Sequence, residues 1–288
     1  MIMFLLLYGG FFIALSGAQE DGENVQSQIM IGKSKRKSPR PSQVLISPVQ
    51  GKKLDFVTEH GLPVPFFSGE RFLYSVSWFA LEAGFVEITV QKNVRIKEHE
   101  TFHFVARAWT SDFFSRFFKV NDRIETWLDT TRFIPRRYEE HIHEGSYSKN
   151  RVFEFFHGQR TIIYDQEKFA ISAQAQDPFS CFMLLRMLHF SPGDTISIDV
   201  FSNRQCYQID MAISPVQQRK TKLGTFPCFS VKPTLKQRGR VLQENSELLL
   251  WFTADEKRLP VLIETKAKIG TITAQLIDMT PLKFEDNQ

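Results

Sequence analysis

GERFLYSVSWFALEAG, residues 69–84, holds a strand, a tight turn and the start of a second strand. Tyr74, Val76 and Trp78 fall on one face at the two-residue period of a pleated strand. Past the turn, Phe85, Glu87 and Thr89 alternate with Val86, Ile88 and Val90. WFTADEKRLP, residues 251–260, repeats the device: a strand, a charged turn through Asp255, Glu256, Lys257 and Arg258, and a return strand opening at Pro260. Asp255 is expected to bond its own backbone there. The same period runs through 124–128, 136–143, 152–157, 161–164, 169–173, 195–201, 206–213, 226–231, 247–253, 261–267 and 271–277. The 28 phenylalanines suit a pleated, half-buried surface. So many short strands in series hide their edges by curling, which predicts an all-β, mainly antiparallel fold, a closed or half-open barrel. One domain is expected over residues 66–284.

Two segments break the period. In Asp112–Lys119, Phe113, Phe114, Phe117 and Phe118 stand at helical spacing, as one or two turns across a barrel end. Asp177–Phe190 reads as a helix, with Asp177 as N-cap, Pro178 at the first helical position and Ser191-Pro192-Gly193 as the stop. Only Ser180, Arg186 and His189 are polar inside it, so the helix is expected to be buried, either filling the sheet's concavity or lidding a cavity.

Between the two opening stretches lie FFKVNDRIETWLD (117–129), PRRYEEHIHEGSY (135–147) and DPFSCFMLLRMLHFSPG (177–193). This ordered series, over roughly residues 66–280, resembles the bacterial exported-protein family known as domain of unknown function 3108. The resemblance implies the barrel-like fold and an exported protein of the periplasm or cell envelope. It implies no chemistry.

Residues 1–18 are apolar and uncharged, and Ser16-Gly17-Ala18 offers the small residues a signal peptidase reads, so cleavage after Ala18 is expected. The segment departs from a typical signal in carrying no Lys or Arg, which leaves an uncleaved anchor as the alternative, although it is shorter than the ~20 residues of a bilayer span. Residues 19–65, polar and with five prolines, read as a disordered tether containing the basic run Lys33–Arg40. The tether holds seven basic and five acidic groups of a chain whose net charge is +4, so the body is near balance and gives no argument for nucleic acid. Membrane contact is expected only through the leader or the tether.

His99-Glu100-Thr101-Phe102-His103 matches the H-E-x-x-H of zinc peptidases, and Glu125 and Asp129 mimic a third-ligand motif. That chemistry requires a helix. As a strand, the segment puts the two imidazoles about 13 Å apart with Glu100 on the opposite face. The metal reading is therefore set aside. His141 and His143 share a strand face about 6.6 Å apart, with Glu139 and Arg137 on the same face and His157 able to approach. A solvent-facing row has the same composition, so no metal is assigned there. Glu140 falls on the apolar side with Tyr138, Ile142 and Arg136, so an inward Glu140–Arg136 pair is expected, with a polar spot lining a pocket as the alternative. If 214–218 is a hairpin turn, Cys206 and Cys228 face each other and could form a disulfide, with Cys181 a buried thiol. No G-x-S-x-G, G-x-G-x-x-G, P-loop or C-x-x-C occurs, and no cofactor is expected.

Three functions follow in order. The first is a non-enzymatic binder of an apolar or lipid-like ligand inside an aromatic-rich barrel, with Tyr74, Trp78, Tyr138, Glu140, Phe182 and Arg186 as candidate ligand contacts. The second is an envelope interaction protein with a filled core and a protein partner. The third is a zinc hydrolase using His99, Glu100 and His103.

Overall fold

The computed structural model describes residues 52–53, 64–188, 191–237, 240–241, 247–267 and 270–280. The leader at 1–18, most of the tether at 19–65 and the expected helix end at 189–190 lie outside the described residues. The first half of the chain forms β1 (Lys52–Lys53), β2 (Arg71–Trp78), β3 (Leu81–Val90), β4 (Val94–Ile96), β5 (His99–Thr110), β6 (Asn121–Asp129), β7 (Pro135–Glu144), β8 (Tyr147–Phe156), β9 (Thr161–Tyr164) and β10 (Glu167–Ala170). Helix α1 (Asp112–Ser115) joins β5 to β6, and α2 (Pro178–Leu184) joins the halves. The second half forms β11 (Thr195–Ser202), β12 (Gln205–Ile213), β13 (Gln217–Thr221), β14 (Gly224–Gln237), β15 (Arg240–Val241), β16 (Glu247–Thr253), β17 (Pro260–Ala267) and β18 (Gly270–Thr280).

The main ladder is an antiparallel meander. It runs β2-β3-β5-β6-β7-β8-β9-β10 in one direction from the first long strand. In the other it runs β2-β18-β17-β16-β14-β12-β11. The two ends of the domain are therefore zipped together, from Ile272 opposite Trp78 to Thr280 opposite Arg71. The ladder ends mid-chain at β10 and at β11, whose outer edge carries the short parallel strand β1, and no register joins β10 to β11 among the described residues, so the sheet is curled but not closed. The expected half-open barrel is what forms.

Helix α2 occupies this interruption. Asp177 accepts from the backbone N–H groups of Phe179 and Ser180 at 2.9 and 2.8 Å, and Ser180 Oγ accepts from Asp177 N, a complete capping box. Every residue from Pro178 to Leu184 is buried. Phe179 packs edge-on to Phe104 of β5, and Phe182 lies against Phe252 of β16, so the helix fills the concavity from wall to wall. It is shorter than its pattern suggests. After Leu184 the chain tightens, with Arg186 N bonding Met183 O and Met187 N bonding Leu184 O. Just before the helix, Gln176 bridges the seam, donating to Asp199 O and accepting from Phe201 N at 2.8 and 2.7 Å.

One register differs from expectation. The expected turn at 214–218 gives way at Gln217 to β13, a private hairpin partner for Gly224–Cys228, so β12 pairs instead with the far half of β14. Cys206 consequently faces Phe201, and Cys228 faces Gln217 and Thr253. All three cysteines are thiols, and the expected Cys206–Cys228 bridge does not form.

Because successive ladders are antiparallel, the turns at 79–80, 111–119, 145–146, 165–166 and 203–204 fall at one end of the barrel, the hairpin end. Glu70, Arg186 and the 254–259 turn fall at the other.

Candidate functional site

Strand alternation turns Tyr138 and Glu140 of β7 inward, near the hairpin end. The Gly145-Ser146 turn sets Glu140 opposite Arg151 of β8, and Arg151 Nη1 donates to Glu140 Oε2 at 2.7 Å. Glu140 is 1% exposed, and burial raises its carboxyl to about 7 despite the attraction of Arg151. Lys149 shares the face of Arg151, whose charge together with burial lowers its pKa. Asp177, at the foot of α2, adds a second buried carboxyl, raised by burial to about 6, whose Oδ2 accepts from Thr126 Oγ1 at 2.6 Å.

The far wall comes from across the seam. The β11–β12 turn brings Phe201, Ser202, Asn203 and Arg204 against β8 and β9. Phe153 stacks on Tyr164 at 4.6 Å and meets Phe201 at 6.1 Å. Arg204 lies 5.8 Å over Tyr164 and pairs with Glu167 at 2.9 Å. Between the walls is a cavity of about 240 Å³. Ser202 lines it and is 5% exposed, and its Oγ has no hydrogen-bond partner among the described residues. The cavity thus combines a near-neutral carboxyl, several cations and an aromatic wall. Those groups fit the head of a small anion with an apolar attachment.

The other candidate residues are scattered. Arg136 does not meet Glu140. A bulge at Trp127/Leu128 shifts the β6–β7 register, and Arg136 instead holds Asp129 Oδ2 through Nε and Nη2 at 2.9 and 2.6 Å. Tyr74 donates to Pro260 O at 2.8 Å. Arg186 grips Glu70 through two donors at 2.8 and 2.9 Å at the opposite end. Phe182 is helix packing, and Trp78 is half-buried beside Phe79 at the hairpin end. Of the six expected ligand contacts, only Tyr138 and Glu140 line the seam cavity.

His99 and His103 sit on strand β5, each with its own carboxylate: His99 with Asp129 at 3.1 Å, His103 with Glu125 at 2.7 Å while stacked on Trp127. Bonds from His103 and Arg123 overcome burial and hold Glu125 down at about 2. His157 does not approach His141. It is buried, its Nε2 and Nδ1 lie 2.8 and 3.2 Å from Pro135 O and Ala173 O, and burial lowers it to about 4. On the outer face, Glu125, Glu139 and His141 bring ligand atoms within 4.8 Å of one another, a set that could hold a divalent ion. Arg123 and Arg137 already neutralise its two carboxylates, as in a surface ion-pair ladder.

Arg151 was within reach of sequence reasoning, because the Gly145 turn pairs it with Glu140. Ser202 and Arg204 approach over a gap with no ladder, and nothing in the local sequence announces them.

Comparison with known proteins agrees with this architecture. No curated protein matches the chain. A β-barrel-like protein of domain of unknown function DUF1849 from Brucella abortus superposes with a TM-score of 0.50 at 8% identity, over 74% of this chain and 97% of that one. A Bacteroides fragilis protein with a YmcC-like fold, described as exported, gives 0.35 at 9% over 76% and 98%. A hypothetical protein from Chlamydia trachomatis gives 0.33 at 10% over 74% and 87%. The meander from β2 to β18 is also the region, residues 73–277, that matches the family described as protein of unknown function DUF3108, and the chain belongs to that family.

Proposed function

We propose that this is a non-enzymatic binding protein of the bacterial cell envelope whose seam cavity takes the anionic head of an amphipathic, lipid-like molecule. The observation that carries the reading is the singly bonded Glu140–Arg151 pair beside a cavity lined by Lys149, Arg204 and the rings of Phe153, Tyr164 and Phe201. With Glu140 neutral, Lys149, Arg151 and Arg204 outweigh Asp165 and Glu167, the partner of Arg204, and an incoming anion supplies the missing charge. Phe153, Tyr164 and Phe201 favour an apolar segment next to that head. A volume of about 240 Å³ is below the ~300 Å³ at which drug-sized sites begin, so head and first methylenes enter while the tail runs outward. The barrel interior is occupied by α2, which moves the ligand from the interior to the seam. The apolar run at 1–18, closed by the small residues Ser16-Gly17-Ala18, supports export to the periplasm. A filled-core interaction protein is the second reading, favoured by that same buried helix.

The test is titration of the intact chain with octyl sulfate, whose charge is constant across the pH range. Glu140 faces Arg151 and Lys149 from β8 and Asp177 from the foot of α2. As pH rises through about 7, Glu140 ionises and competes for Arg151. Affinity should then fall about tenfold between roughly pH 6 and 8. Glu140→Gln should remove that dependence, and Arg151→Met should abolish binding. Octanol binding as tightly as octyl sulfate, or binding indifferent to Arg151→Met, would sink the seam site and leave the filled-core reading ahead.

A further inference from the structure

Among the described residues, the hairpin end carries three two-residue turns in which both central residues have positive φ, the geometry of a type I′ hairpin. Asp165-Gln166 and Asn203-Arg204 begin with the short polar residue such turns favour. The third is Phe79-Ala80, with φ of 48° and 66°. A bulky aromatic is an outlier there, and strain of that kind marks a position held for its side chain. The chain also makes room for the ring. Gly270 lies beneath it, and a Cβ on Gly270 would come within 2.1 Å of Phe79 Cζ. The ring is nonetheless 64% exposed.

Phe79 is not isolated. Leu81 follows it, and the α1 segment offers Phe113 at 61% and Phe117 at 76% exposure. Between the two tips runs a groove of about 660 Å³ floored by Phe85, Trp109 and Phe114. Ring contacts between Phe113 and both Phe114 and Phe117 brace the tip. The segment is fixed to the body, since Gly145 N donates to Lys119 O at 2.8 Å and the Phe118 ring packs over Gly145. Arg116 and Lys119 are exposed beside these rings and enter no ion pair among the described residues. Of the nearby acids, Glu82 is tied to Ser75 Oγ at 2.7 Å, and Asp112 sits in the first turn of α1.

We infer that this rim inserts into the interface of an anionic-lipid bilayer, with Phe79, Leu81, Phe113 and Phe117 entering the acyl boundary and Arg116 and Lys119 meeting phosphates. Protruding apolar tips with adjacent cations suit a deformable, negatively charged surface. The contact is separate from both the leader and the tether, and it does not depend on the seam site.

Trp109 reports on the rim whether or not the leader also holds the chain to membrane. The intact protein is bound to phosphatidylglycerol-containing vesicles whose acyl chains are brominated, and Trp109 quenching is taken as the difference from Trp109→Phe. The inference expects quenching in the wild type and its loss in Phe113→Ser/Phe117→Ser, with the melting temperature unchanged. Arg116→Gln/Lys119→Gln should weaken quenching in anionic vesicles and not in phosphatidylcholine. No quenching in vesicle-bound wild type, or quenching indifferent to the double serine variant, would overturn it. So would a lipid-independent dimer that the double variant dissolves, since a second copy would then be the occupant.

Discussion

Each end of this barrel holds a buried carboxylate bonded to a guanidinium, and the two pairs are finished differently. At one end, Arg186 directs two donors to Glu70 and others to Pro65 O and Lys257 O, and its guanidinium lies 5.0 Å from the rings of both Phe66 and Phe72. Nothing is left for a ligand to satisfy. At the hairpin end, Arg151 gives Glu140 a single bond and lines an open cavity, and the carboxyl rises to about 7. The difference separates a lock from a site. A saturated buried pair fixes geometry, whereas an unsaturated one keeps bonding capacity that another molecule can use.

The largest effect should come from breaking the lock. Arg186→Met leaves Glu70 buried without its partner and unfastens the 65–70 segment from α2 and from the 254–259 turn. Loss of one member of such a pair costs about 3–5 kcal/mol. Urea unfolding should show that drop. A cost below about 1 kcal/mol would mean the two ends do not differ in the way argued.

The seam pair should speak through pH instead. The folded-state pKa of Glu140 lies above its ordinary 4.5, so its contribution to stability is fully present below about 4.5 and is lost as pH rises through about 7. A shift of that size corresponds to on the order of 3 kcal/mol across the window. Asp177, also raised, acts with the same sign, while His157, depressed to about 4, opposes both. Wild-type stability alone would therefore blend the three. The difference between wild type and Glu140→Gln isolates one of them. It should favour wild type near pH 5 and shrink or reverse by pH 8. A difference constant with pH would mean that Glu140 does not change protonation state across the range.

The two ends were unequally legible in the sequence. Alternation around residues 69–84 and at 136–143 was enough to turn the strands inward correctly and to place Glu140 on the buried face. It could not choose that residue's partner, because the bulge at Trp127/Leu128 that sends Arg136 to Asp129 leaves no mark on a period-two pattern. Residues 217–221, QQRKT, lack apolar alternation, so the pattern predicts no strand there and puts the turn at 214–218; as β13 they move the whole β12 register and separate Cys206 from Cys228. Helix α2 was legible from its cap and its uniform apolarity. The seam was not, since an edge without a ladder has no register to read.

The smallest effect probes the strain at the hairpin end. Phe79 and Ala80 occupy a turn that Asn-Gly would fill at lower energy, as the neighbouring Asp165-Gln166 and Asn203-Arg204 turns partly do. Most of the Phe79 ring is exposed, so removing it gives up little burial beyond its contacts with Gly270 and Trp78. Phe79→Asn should therefore stabilise the fold by about 0.5–1 kcal/mol, read as a rise in melting temperature. A gain of that kind would mean the native residue is held there against the interest of folding, as a contact surface requires. A loss instead would show the ring seated on Gly270 to be packing, which would make the hairpin end more like the Glu70 end than its exposure suggests.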